Sequence, residues 1–332
     1  MIISMTPYRI SFFGGGTDYP LWYRENGGKV LSTSINKYCY ITCRYLPPFF
    51  GHKHRFVYSN IENVTDLAEI KHPSIKAVLQ SMNWEKGLEI HHDGDLPARS
   101  GLGSSSSFTV GLLNALTALK GEQLSKKDLA DKAINIEQNI IKEAVGSQDQ
   151  IASAYGGFNK IEFQRDDSIN VEPLILSTEK KKYLESHFML FFTGISRYAA
   201  EVAQSKIENI GIRKQELTRI GQTVEEALSL IYSPNSFAAE LGQLMHEAWQ
   251  CKRSLADKVS NKVIDEIYDA AREAGAYGGK LMGAGNGGFM VFMVKPELQE
   301  KVRERLKNLT YVPFEFENFG SKIALYQPNG LG

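Results

Sequence analysis

The sequence predicts an α+β protein with two domains, and three observations support this fold class. The chain has 332 residues, roughly twice the length of a common domain of about 150 residues. Apolar and β-branched runs typical of strands fill the first hundred residues, whereas helical stripes follow from Ser104 onward. The apolar run Phe188–Phe192 then indicates a buried strand that opens a second core. We therefore expect domains over residues 1–185 and 186–332.

The composition is that of a globular protein without net charge. Lysine and arginine together number 38, aspartate and glutamate also number 38, and 42% of the residues are hydrophobic. A neutral chain lacks the basic stripe that binds nucleic acid or an anionic membrane surface. No apolar run approaches the ~20 residues that span a bilayer, and the first residues lack the basic region of a secretory signal. We expect a cytoplasmic protein that binds neither nucleic acid nor membrane.

Four segments in the first part of the chain are predicted to be strands. They are rich in Ile, Val, Tyr, Phe and Thr and are bounded by Gly, Pro and Asn, a composition typical of strands between turns. The predicted strands are Ile2–Phe12, Lys29–Tyr45, His54–Ser59 and Leu88–His92.

Helices are predicted where apolar residues recur at three- and four-residue spacing. A first stripe begins at Ser104, and Gly121 is placed to end that helix. Ser125 and Asp128 form a capping signal for a second helix, whose apolar stripe extends to Ile141. The later helical segments are Val202–Tyr232, Phe237–Val259 and Asn261–Ala274, the last capped by Ser260 or Asn261 and ended by Gly275.

The segment from Pro97 to Ser107 predicts a phosphate-binding loop. It reads Pro-Ala-Arg-Ser-Gly-Leu-Gly-Ser-Ser-Ser-Ser, follows a predicted strand and leads directly into the helix that begins at Ser104. Gly101 and Gly103 allow close approach of the backbone to a ligand, and the N–H groups of a helix N-terminus favour an anion. A flexible Gly/Ser connection is the alternative, but a linker would not run straight into a strongly periodic helix.

Two further glycine clusters predict different roles. Gly283, Gly285 and Gly288 have Gly-x-Gly-x-x-Gly spacing, but the strand-like run Phe289–Val294 follows where a dinucleotide site requires a helix. This context excludes a Rossmann-type site. The other cluster, Gly14-Gly-Gly-Thr-Asp18, brings a carboxylate and a flexible backbone together, which suits a polyhydroxylated ligand. A hairpin-like turn explains that cluster about as well.

Two acidic residues are candidates for chemistry. Glu137 shares a predicted helix face with the apolar residues Ala133 and Ile140, and an acid in an apolar stripe requires a partner. We expect a metal ion or a basic side chain beside Glu137, with an ordinary surface Glu as the alternative. Asp149 follows in Gly146-Ser-Gln-Asp-Gln, either as a second functional acid or as the cap of a new helix.

These motifs, in this order, resemble those of the GHMP kinase family. Pro97-x-x-x-Gly-Leu-Gly-Ser-Ser-Ser resembles the ATP-phosphate loop of the family, and Lys280-x-x-Gly-Ala-Gly-x-Gly-Gly resembles its C-terminal glycine motif. Glu137 and Asp149 resemble its acidic pair. The resemblance spans nearly the whole chain. It implies a two-domain α+β fold whose first domain is like domain 2 of ribosomal protein S5 and whose second is a ferredoxin-like α/β domain.

The resemblance also implies a role for each residue in ATP- and Mg²⁺-dependent phosphoryl transfer to a sugar hydroxyl. The implied catalytic residues are Asp149, which accepts or orients the hydroxyl proton, and Arg9, which lies beside the transferred phosphoryl group. Ser105, or Ser104, would hold Mg²⁺ together with Glu137. The residues implied for the ATP phosphates are Pro97, Gly101, Leu102, Gly103, Ser104, Ser105 and Ser106. The residues implied for the substrate are Gly16, Thr17, Asp18, Gly283 and Gly285.

Within the family, three segments resemble the bacterial branch that phosphorylates the anomeric hydroxyl of D-glycero-D-manno-heptose 7-phosphate. They are Arg9-Ile-Ser-Phe-x-Gly-Gly-Gly-Thr-Asp18, Thr193-Gly-x-Ser-Arg197 and His246-Glu-Ala-Trp-x-x-Lys252-Arg253. The branch supplies nucleotide-activated heptose for surface polysaccharide. Its small sugar phosphate substrate requires cationic partners, for which the candidates are Arg9, Arg24, Arg99, Arg197, Lys252 and Arg253.

Two alternatives stay open at this point. One is a kinase of the same fold that acts on a fucose- or galactose-type sugar, although galactokinases carry Gly-Glu-His-Thr-Asp where this chain has Gly14-Gly-Gly-Thr-Asp. The other is a non-catalytic sugar or nucleotide sensor, which would be expected to lack Asp149, Glu137 or Arg9. The resemblance leaves both a monomer and a homodimer open.

Overall fold

The computed structural model describes residues 1–195 and 199–328, which form two sheets and the helices that cover them. The strands are β1 (Ile2–Phe13), β2 (Gly28–Tyr45), β3 (His54–Val57), β4 (Ile61–Val64), β5 (Leu88–Gly94), β6 (Phe158–Phe163), β7 (Ile169–Pro173), β8 (Phe188–Phe192), β9 (Ala276–Leu281), β10 (Phe289–Val294), β11 (Thr310–Tyr311), β12 (Phe316–Glu317) and β13 (Lys322–Tyr326). The α-helices are α1 (Pro20–Asn26), α2 (Pro73–Ser81), α3 (Ser104–Leu119), α4 (Lys126–Asn135), α5 (Gln148–Tyr155), α6 (Thr178–His187), α7 (Ala199–Asn209), α8 (Lys214–Tyr232), α9 (Ala238–Arg253), α10 (Lys262–Ala274) and α11 (Gln299–Arg305). A π-helical turn occupies Ile136–Ile140, and 3₁₀ turns occupy Leu67–Glu69, Asp257–Val259 and Pro296–Leu298.

The larger sheet is built around β1 and β2. Its main path has the order β13-β1-β2-β5-β3-β4, and β6 with β7 extends it from β2. The 18-residue strand β2 pairs with β1 along one edge, and along the other edge with β6 near its start and β5 near its end. Among the described strands of this sheet, only β3 and β5 pair in parallel. Arg9 lies opposite Ser34 of β2, beyond the part of β1 that pairs with β13, and its other edge faces the glycine-rich loop.

Helix α3 covers this sheet and brings the glycine-rich loop to β1. Two hydroxyl groups join the layers: Ser4 Oγ donates to the carbonyl of Gly111 at 2.8 Å, and Ser107 Oγ donates to the carbonyl of Pro7 at 3.0 Å. The helix approaches closely because Gly111 has no side chain, and a Cβ there would lie 2.8 Å from Oγ1 of Thr6. These contacts fix the start of α3 beside the middle of β1.

The smaller sheet has the order β11-β8-β10-β9, and its central strands are the apolar runs seen in the sequence. Strands β8 and β10 are antiparallel, with Phe191 opposite Met290. Helices α9 and α10 pack against this sheet, and their residues Trp249 and Tyr268 share a core with Phe292. Strand β9 ends where the loop of residues 282–288 begins, so this sheet carries the C-terminal glycine cluster.

The last two strands of the chain return to the larger sheet. Strand β12 pairs with β2, and β13 pairs with β1. The rings of Phe188 and Phe316 lie 4.6 Å and 6.0 Å from that of Phe12, so residues from both ends of the chain share one core. The domain boundary between residues 185 and 186 stays a prediction. With this boundary, strands β12 and β13 of the second domain belong to the sheet of the first domain.

Most of the predicted elements are confirmed, but the helix after Ser125 differs from its prediction. Ser125 caps α4 by accepting the N–H of Asp128 at 3.1 Å, and Asn261 caps α10. The helix continues past Asn135 as predicted, but its last turn, Ile136–Ile140, is π-helical rather than α-helical. The wider turn changes the face that each residue presents, so Glu137 is fully buried while Ile140 is exposed. Among the described residues, no helix has both the length and the apolar character needed to cross a membrane.

Candidate active site

An ion pair between Arg9 and Asp149 lies where β1, α5 and the glycine-rich loop meet. Nε and Nη2 of Arg9 each donate to one carboxylate oxygen of Asp149 at 2.7 Å. Nη1 of Arg9 donates to the carbonyl of Gly101 at 2.8 Å. The Arg9 side chain is 3% exposed and the Asp149 side chain is 26% exposed. The guanidinium fork therefore fixes the orientation of a carboxylate that solvent can still reach.

The predicted phosphate loop passes directly over this ion pair. Gly103, the N-cap residue of α3, has a φ of +77°, and a Cβ there would lie 3.3 Å from Cγ of Arg9 and 3.6 Å from Cγ of Asp149. Leu102 is buried, and its carbonyl accepts the backbone N–H of Arg9 at 3.0 Å. Pro97 is exposed at the entry to the loop. The positive end of α3 thus lies beside Asp149, so an anion bound at the helix N-terminus would lie next to the acid predicted to be catalytic.

Glu137 is fully buried and only partly hydrogen-bonded. Its Oε2 accepts hydrogen bonds from Ser106 Oγ at 2.8 Å and from Nε2 of Gln150. Its Oε1 is buried and has no partner among the described residues. Burial raises the pKa of Glu137 to about 7, although the hydrogen bonds from Ser106 and Gln150 oppose the rise. A buried carboxylate with one unsatisfied oxygen has the chemistry of a divalent-cation ligand.

The first three of the four serines that begin α3 have different surroundings. Ser106 is buried and contacts Glu137, whereas Ser105, which the resemblance implies as a metal ligand, is exposed. Ser104 Oγ accepts the N–H of Arg99 at 3.0 Å. Consecutive residues of a helix point about 100° apart, so neighbouring serines cannot share one orientation toward Glu137. The structure joins Glu137 to Ser106, and the assignment of Ser105 to the metal stays a prediction.

Asp18 lies at the end of the loop after β1, close to Asp149. Its carboxylate is 1% exposed and accepts the N–H groups of Gly16 at 2.8 Å and Gln148 at 3.3 Å. A Cβ on Gly146 would collide with Oδ2 of Asp18, so this close packing requires glycine. Burial raises the pKa of Asp18, and the negative charge of Asp149 adds to the rise. The structure therefore brings the predicted sugar loop and the predicted acidic motif together.

The glycine cluster around Asp18 opens helix α1, and the hairpin-like turn considered for it is wrong. Pro20 provides the first residue of this helix, where its missing N–H is not needed. Thr17 Oγ1 donates to the carbonyls of Gly14 at 2.8 Å and Lys29 at 2.9 Å, so its hydroxyl is engaged by the backbone. Gly16 lines a small pocket with Tyr19. A contact of Thr17 or Gly16 with substrate stays a prediction.

Gly283 and Gly285, also predicted for the substrate, contact protein. A Cβ on Gly283 would lie 2.5 Å from Cα of Gly101, and a Cβ on Gly285 would lie 2.6 Å from the carbonyl oxygen of Val259. The Phe289 N–H also donates to the carbonyl of Ser100 at 3.1 Å. The C-terminal glycine loop therefore supports the phosphate loop, and contact with a substrate stays a prediction.

Three buried lysines surround this region. Lys252 Nζ donates to the carbonyls of Leu281 and Gly283, both at 2.7 Å, and so anchors the C-terminal glycine loop to α9. Lys280 Nζ donates to the carbonyl of Phe12 at 3.0 Å. Lys206 in α7 is 8% exposed. The sequence analysis named Lys252 as a candidate for the substrate phosphate and Lys280 as the first residue of the C-terminal glycine motif, but it did not name Lys206.

Burial governs the charge of these lysines. It lowers the pKa of Lys206 to about 8, while Asp18 and Asp149 oppose the shift. Burial and the charge of Arg9 lower the pKa of Lys280 to about 7. A sequence signal for Lys206 exists, because it continues the apolar stripe of Val202 and Ala203 at helical spacing. A lysine in an apolar stripe requires a partner for the same reason as Glu137 does.

Two other residues predicted to bind the substrate phosphate, Arg24 and Arg253, form ion pairs with the protein. Arg24 pairs with Asp167 at 2.7 Å and Arg253 pairs with Asp265 at 2.9 Å. His246 Nδ1 hydrogen-bonds the Tyr268 hydroxyl at 2.6 Å, which supports a packing role. Arg99 is exposed in the phosphate loop, and Arg197 lies outside the described residues.

Both glycine loops lie in segments that match known protein families. The family described as GHMP kinases N terminal domain matches residues 69–157, which carry the phosphate loop, Glu137 and Asp149. The family described as GHMP kinases C terminal matches residues 227–312, which carry the second glycine loop. The D-glycero-alpha-D-manno-heptose 7-phosphate kinase of Campylobacter jejuni is 30% identical over 97% of this chain and 98% of that protein. The chain belongs to the GHMP kinase family.

A solved structure and a plant enzyme extend the comparison. The crystal structure of a D-glycero-D-manno-heptose 1-phosphate kinase from Bacteroides thetaiotaomicron is 26% identical, with a TM-score of 0.80 over 98% of this chain and 100% of that one. The bifunctional fucokinase/GDP-fucose pyrophosphorylase of Arabidopsis thaliana is 26% identical over 96% of this chain and 32% of that protein. The predicted α+β fold of the GHMP kinases is confirmed. This GHMP kinase is an ATP-dependent sugar kinase, and the alternative of a non-catalytic sensor is not supported.

Proposed function

We propose that this GHMP kinase transfers the γ-phosphoryl group of ATP to the anomeric hydroxyl of D-glycero-D-manno-heptose 7-phosphate. The product is the 1,7-bisphosphate, an intermediate toward nucleotide-activated heptose for surface polysaccharide. The observation that carries the proposal is the Arg9–Asp149 pair beneath the phosphate loop, with Asp18 beside it. This arrangement joins a phosphoryl site to a site for sugar hydroxyls. The names of the Campylobacter and Bacteroides relatives support heptose phosphate as the sugar.

The ATP phosphates bind at the N-terminus of α3. Backbone N–H groups of residues 101–106 and the serine hydroxyls provide hydrogen bonds to the phosphate oxygens. The helix dipole alone contributes only about 0.3–1 kcal/mol at an exposed site. The directed hydrogen bonds and a bound cation therefore provide most of the affinity for the triphosphate.

The residues present fit a magnesium ion. Glu137 offers a buried oxygen without a partner, and serine hydroxyls begin the adjacent helix. Mg²⁺ prefers oxygen ligands and is commonly held by one or two carboxylates together with substrate phosphates. We assign Glu137 as the protein carboxylate, with Ser105 as the hydroxyl implied by the resemblance and Ser106 as its rival. When bound, the ion neutralises charge on the β- and γ-phosphates of ATP.

Asp149 receives the proton of the acceptor hydroxyl. The hydroxyl oxygen forms a bond to the γ-phosphorus while the bond from that phosphorus to the bridging oxygen of ADP breaks. The proton passes to a carboxylate oxygen of Asp149, which keeps a lone pair besides the one that Arg9 engages. Arg9 holds the carboxylate in a fixed orientation, and its charge stabilises negative charge on the transferred group.

Asp18 binds hydroxyl groups of the sugar. Its carboxylate is held in place by N–H groups of Gly16 and Gln148, which leaves its remaining lone pairs for the substrate. A buried site built to hydrogen-bond a hydroxyl rejects an analogue without that hydroxyl by about 10⁴- to 10⁵-fold. This residue therefore contributes to the choice of sugar more than to the chemical step.

A fucose-type sugar is the second candidate. The Arabidopsis fucokinase aligns over 96% of this chain, so the same site geometry is compatible with an unphosphorylated hexose. The two candidates differ in whether the acceptor carries its own phosphate.

A panel of acceptors tests the proposal. Purified protein, ATP and Mg²⁺ are incubated with D-glycero-D-manno-heptose 7-phosphate, D-mannose 6-phosphate, D-galactose, L-fucose and mevalonate, and ADP release is measured. We expect the highest kcat/KM with the heptose phosphate. A higher value with L-fucose or D-galactose would overturn the heptose assignment. The Asp149→Asn variant, prepared in the same way, controls for ADP release by contaminating kinases.

A further inference from the structure

Lys206 is a cation that is largely buried beside the sugar site. Its side chain is 8% exposed, and its Nζ lies 5.9 Å from the centroid of the Tyr19 ring. In the part of the chain that the structure describes, no hydrogen bond or ion pair satisfies this ammonium group. Its two buried neighbours differ in this respect, since Lys252 and Lys280 donate to backbone carbonyls. An unsatisfied ammonium destabilises a folded chain unless a ligand uses it.

The pocket beside Lys206 adjoins the sugar site. Its lining includes Gly16, Tyr19, Lys206 and Arg213, and the apolar side chains of Ile210, Leu217 and Leu255 close it. Gly16 connects it to the sugar site, because its N–H donates to Asp18 at 2.8 Å. Arg213 immediately precedes α8, and its side chain is 42% exposed and pairs with Glu216 at 3.1 Å. The pocket is small and its wall is mostly apolar apart from these two cations, so it admits a phosphate group only if its lining side chains move.

The cations beside the sugar site differ in their charge state. Burial lowers the pKa of Lys252 well below its ordinary value and that of Lys280 to about 7, whereas Lys206, with a pKa of about 8, keeps its charge near neutral pH. Arg9 is already paired with Asp149, and two of the lysines hold backbone carbonyls. Among the described residues, Lys206 and Arg213 are the cations that line the pocket beside Gly16.

We infer that Lys206 and Arg213 bind the phosphate group that the sugar substrate already carries, so that this pocket selects a phosphorylated sugar. The inference rests on the proposed function, because that function supplies a substrate with a phosphate remote from the reacting hydroxyl. Asp149 accepts the proton of the reacting hydroxyl, Asp18 hydrogen-bonds ring hydroxyls, and the pocket beyond Gly16 binds the phosphate. The ammonium of Lys206 then gains the charge-assisted hydrogen bond that the protein does not provide.

The test compares two acceptors that differ only in the phosphate: D-glycero-D-manno-heptose 7-phosphate and the unphosphorylated heptose. For Lys206→Met we expect the ratio of the two kcat/KM values to fall by roughly 10- to 100-fold, the effect of one lost charge-assisted hydrogen bond. The loss should be in KM of the sugar phosphate, with KM of ATP unchanged. Arg213→Gln should lower the same ratio by a smaller factor, since Arg213 is half-exposed.

Two further variants keep this test specific. Lys206→Arg retains a cation and should preserve part of the preference for the phosphorylated sugar. Lys262→Met removes a lysine that is 90% exposed on α10 and should leave both kcat/KM values at the wild-type level. Because Lys206→Met removes an unsatisfied buried charge, its thermal midpoint should equal or exceed that of the wild type, so a folding defect cannot imitate the result.

The outcomes separate this inference from the proposed function. If the wild type prefers the heptose phosphate and both Lys206→Met and Arg213→Gln keep this preference, the inference is wrong while the proposed function stands. A raised KM for ATP with both sugars assigns Lys206 to the nucleotide and also overturns it. A wild-type enzyme without any preference for the phosphorylated sugar overturns the inference and the proposed function together.

Discussion

Arg9 and Asp149 are 140 residues apart in the sequence, yet two hydrogen bonds of 2.7 Å join them. The pair connects the middle of β1 to the first turn of α5. Because the Arg9 side chain is 3% exposed, its charge depends on Asp149 for compensation. The pair is therefore both a part of the fold and the centre of the proposed chemistry.

Asp149→Asn should lower kcat by about 10²- to 10⁴-fold, because an amide cannot accept the proton of the acceptor hydroxyl. It should also lower the free energy of unfolding by about 1–3 kcal/mol, since Arg9 loses an ionic partner in a buried position. Steady-state kinetics and thermal unfolding measure the two effects, and retained ATP binding shows that the nucleotide site is intact. Wild-type turnover in a folded Asn variant would remove Asp149 from its proposed role.

Glu137 should make the metal-free enzyme less stable as the pH rises from about 4.5 to about 7. Burial raises its pKa from the ordinary 4.5 to about 7, so the folded protein holds this proton more tightly than the unfolded chain does. The stabilisation is complete below pH 4.5 and is lost through pH 7, a change on the order of 3 kcal/mol. Denaturant unfolding of the wild type and of Glu137→Gln over this range measures it, because Gln does not titrate.

Equal pH dependence in Glu137→Gln would show that this carboxyl is not the source. The same variant should require much more Mg²⁺ for half-maximal activity, because an amide oxygen is a poorer ligand than a carboxylate. An unchanged Mg²⁺ requirement would contradict the metal assignment.

Ser105→Ala and Ser106→Ala should affect different properties, the first the Mg²⁺ requirement and the second the stability. Ser105 is exposed, so its loss should leave stability unchanged and raise the Mg²⁺ requirement if its hydroxyl binds the ion. Ser106 donates to the buried Glu137, so its loss should lower the free energy of unfolding by about 1–3 kcal/mol. Mg²⁺ titrations of activity together with thermal unfolding distinguish them. A raised Mg²⁺ requirement in Ser106→Ala alone would transfer the ligand role to Ser106.

Gly283→Ala should destabilise the enzyme and raise KM for ATP. Its φ is +66°, and the new Cβ would lie 2.5 Å from Cα of Gly101, so the phosphate loop has to move. Gly121→Ala is a matched control, because its φ is +79° and nothing lies within 4 Å of the new Cβ. The control should show only backbone strain of about 1–2 kcal/mol. Equal effects of the two substitutions on KM would show that the contact between the two loops does not support ATP binding.

The phosphate loop could be predicted from the sequence because its signal is local. Gly101, Gly103 and the serines that follow them are contiguous, and the helix they begin has an unbroken apolar stripe. Glu137 was found by the same periodicity, but the π-turn that sets its orientation has no comparable sequence signal.

Contacts between distant segments could not be predicted in this way. Gly101 meets Gly283, and Asp18 meets Gly146, only because the two sheets and the helices on them bring these segments together. The return of β12 and β13 to the larger sheet is equally remote in sequence. Lys206 differs from these contacts, because its place in an apolar stripe is visible in the sequence. Only the structure shows that it lines a pocket beside Gly16.

The position of the new phosphate in the product tests the central proposal most directly. The enzyme is incubated with ATP, Mg²⁺ and D-glycero-D-manno-heptose 7-phosphate, and the product is analysed by ³¹P NMR with coupling to the anomeric proton. We expect a second phosphate on the anomeric carbon, beside the original 7-phosphate. A phosphate on any other hydroxyl, or no transfer to this acceptor while another sugar is phosphorylated, would contradict the proposal.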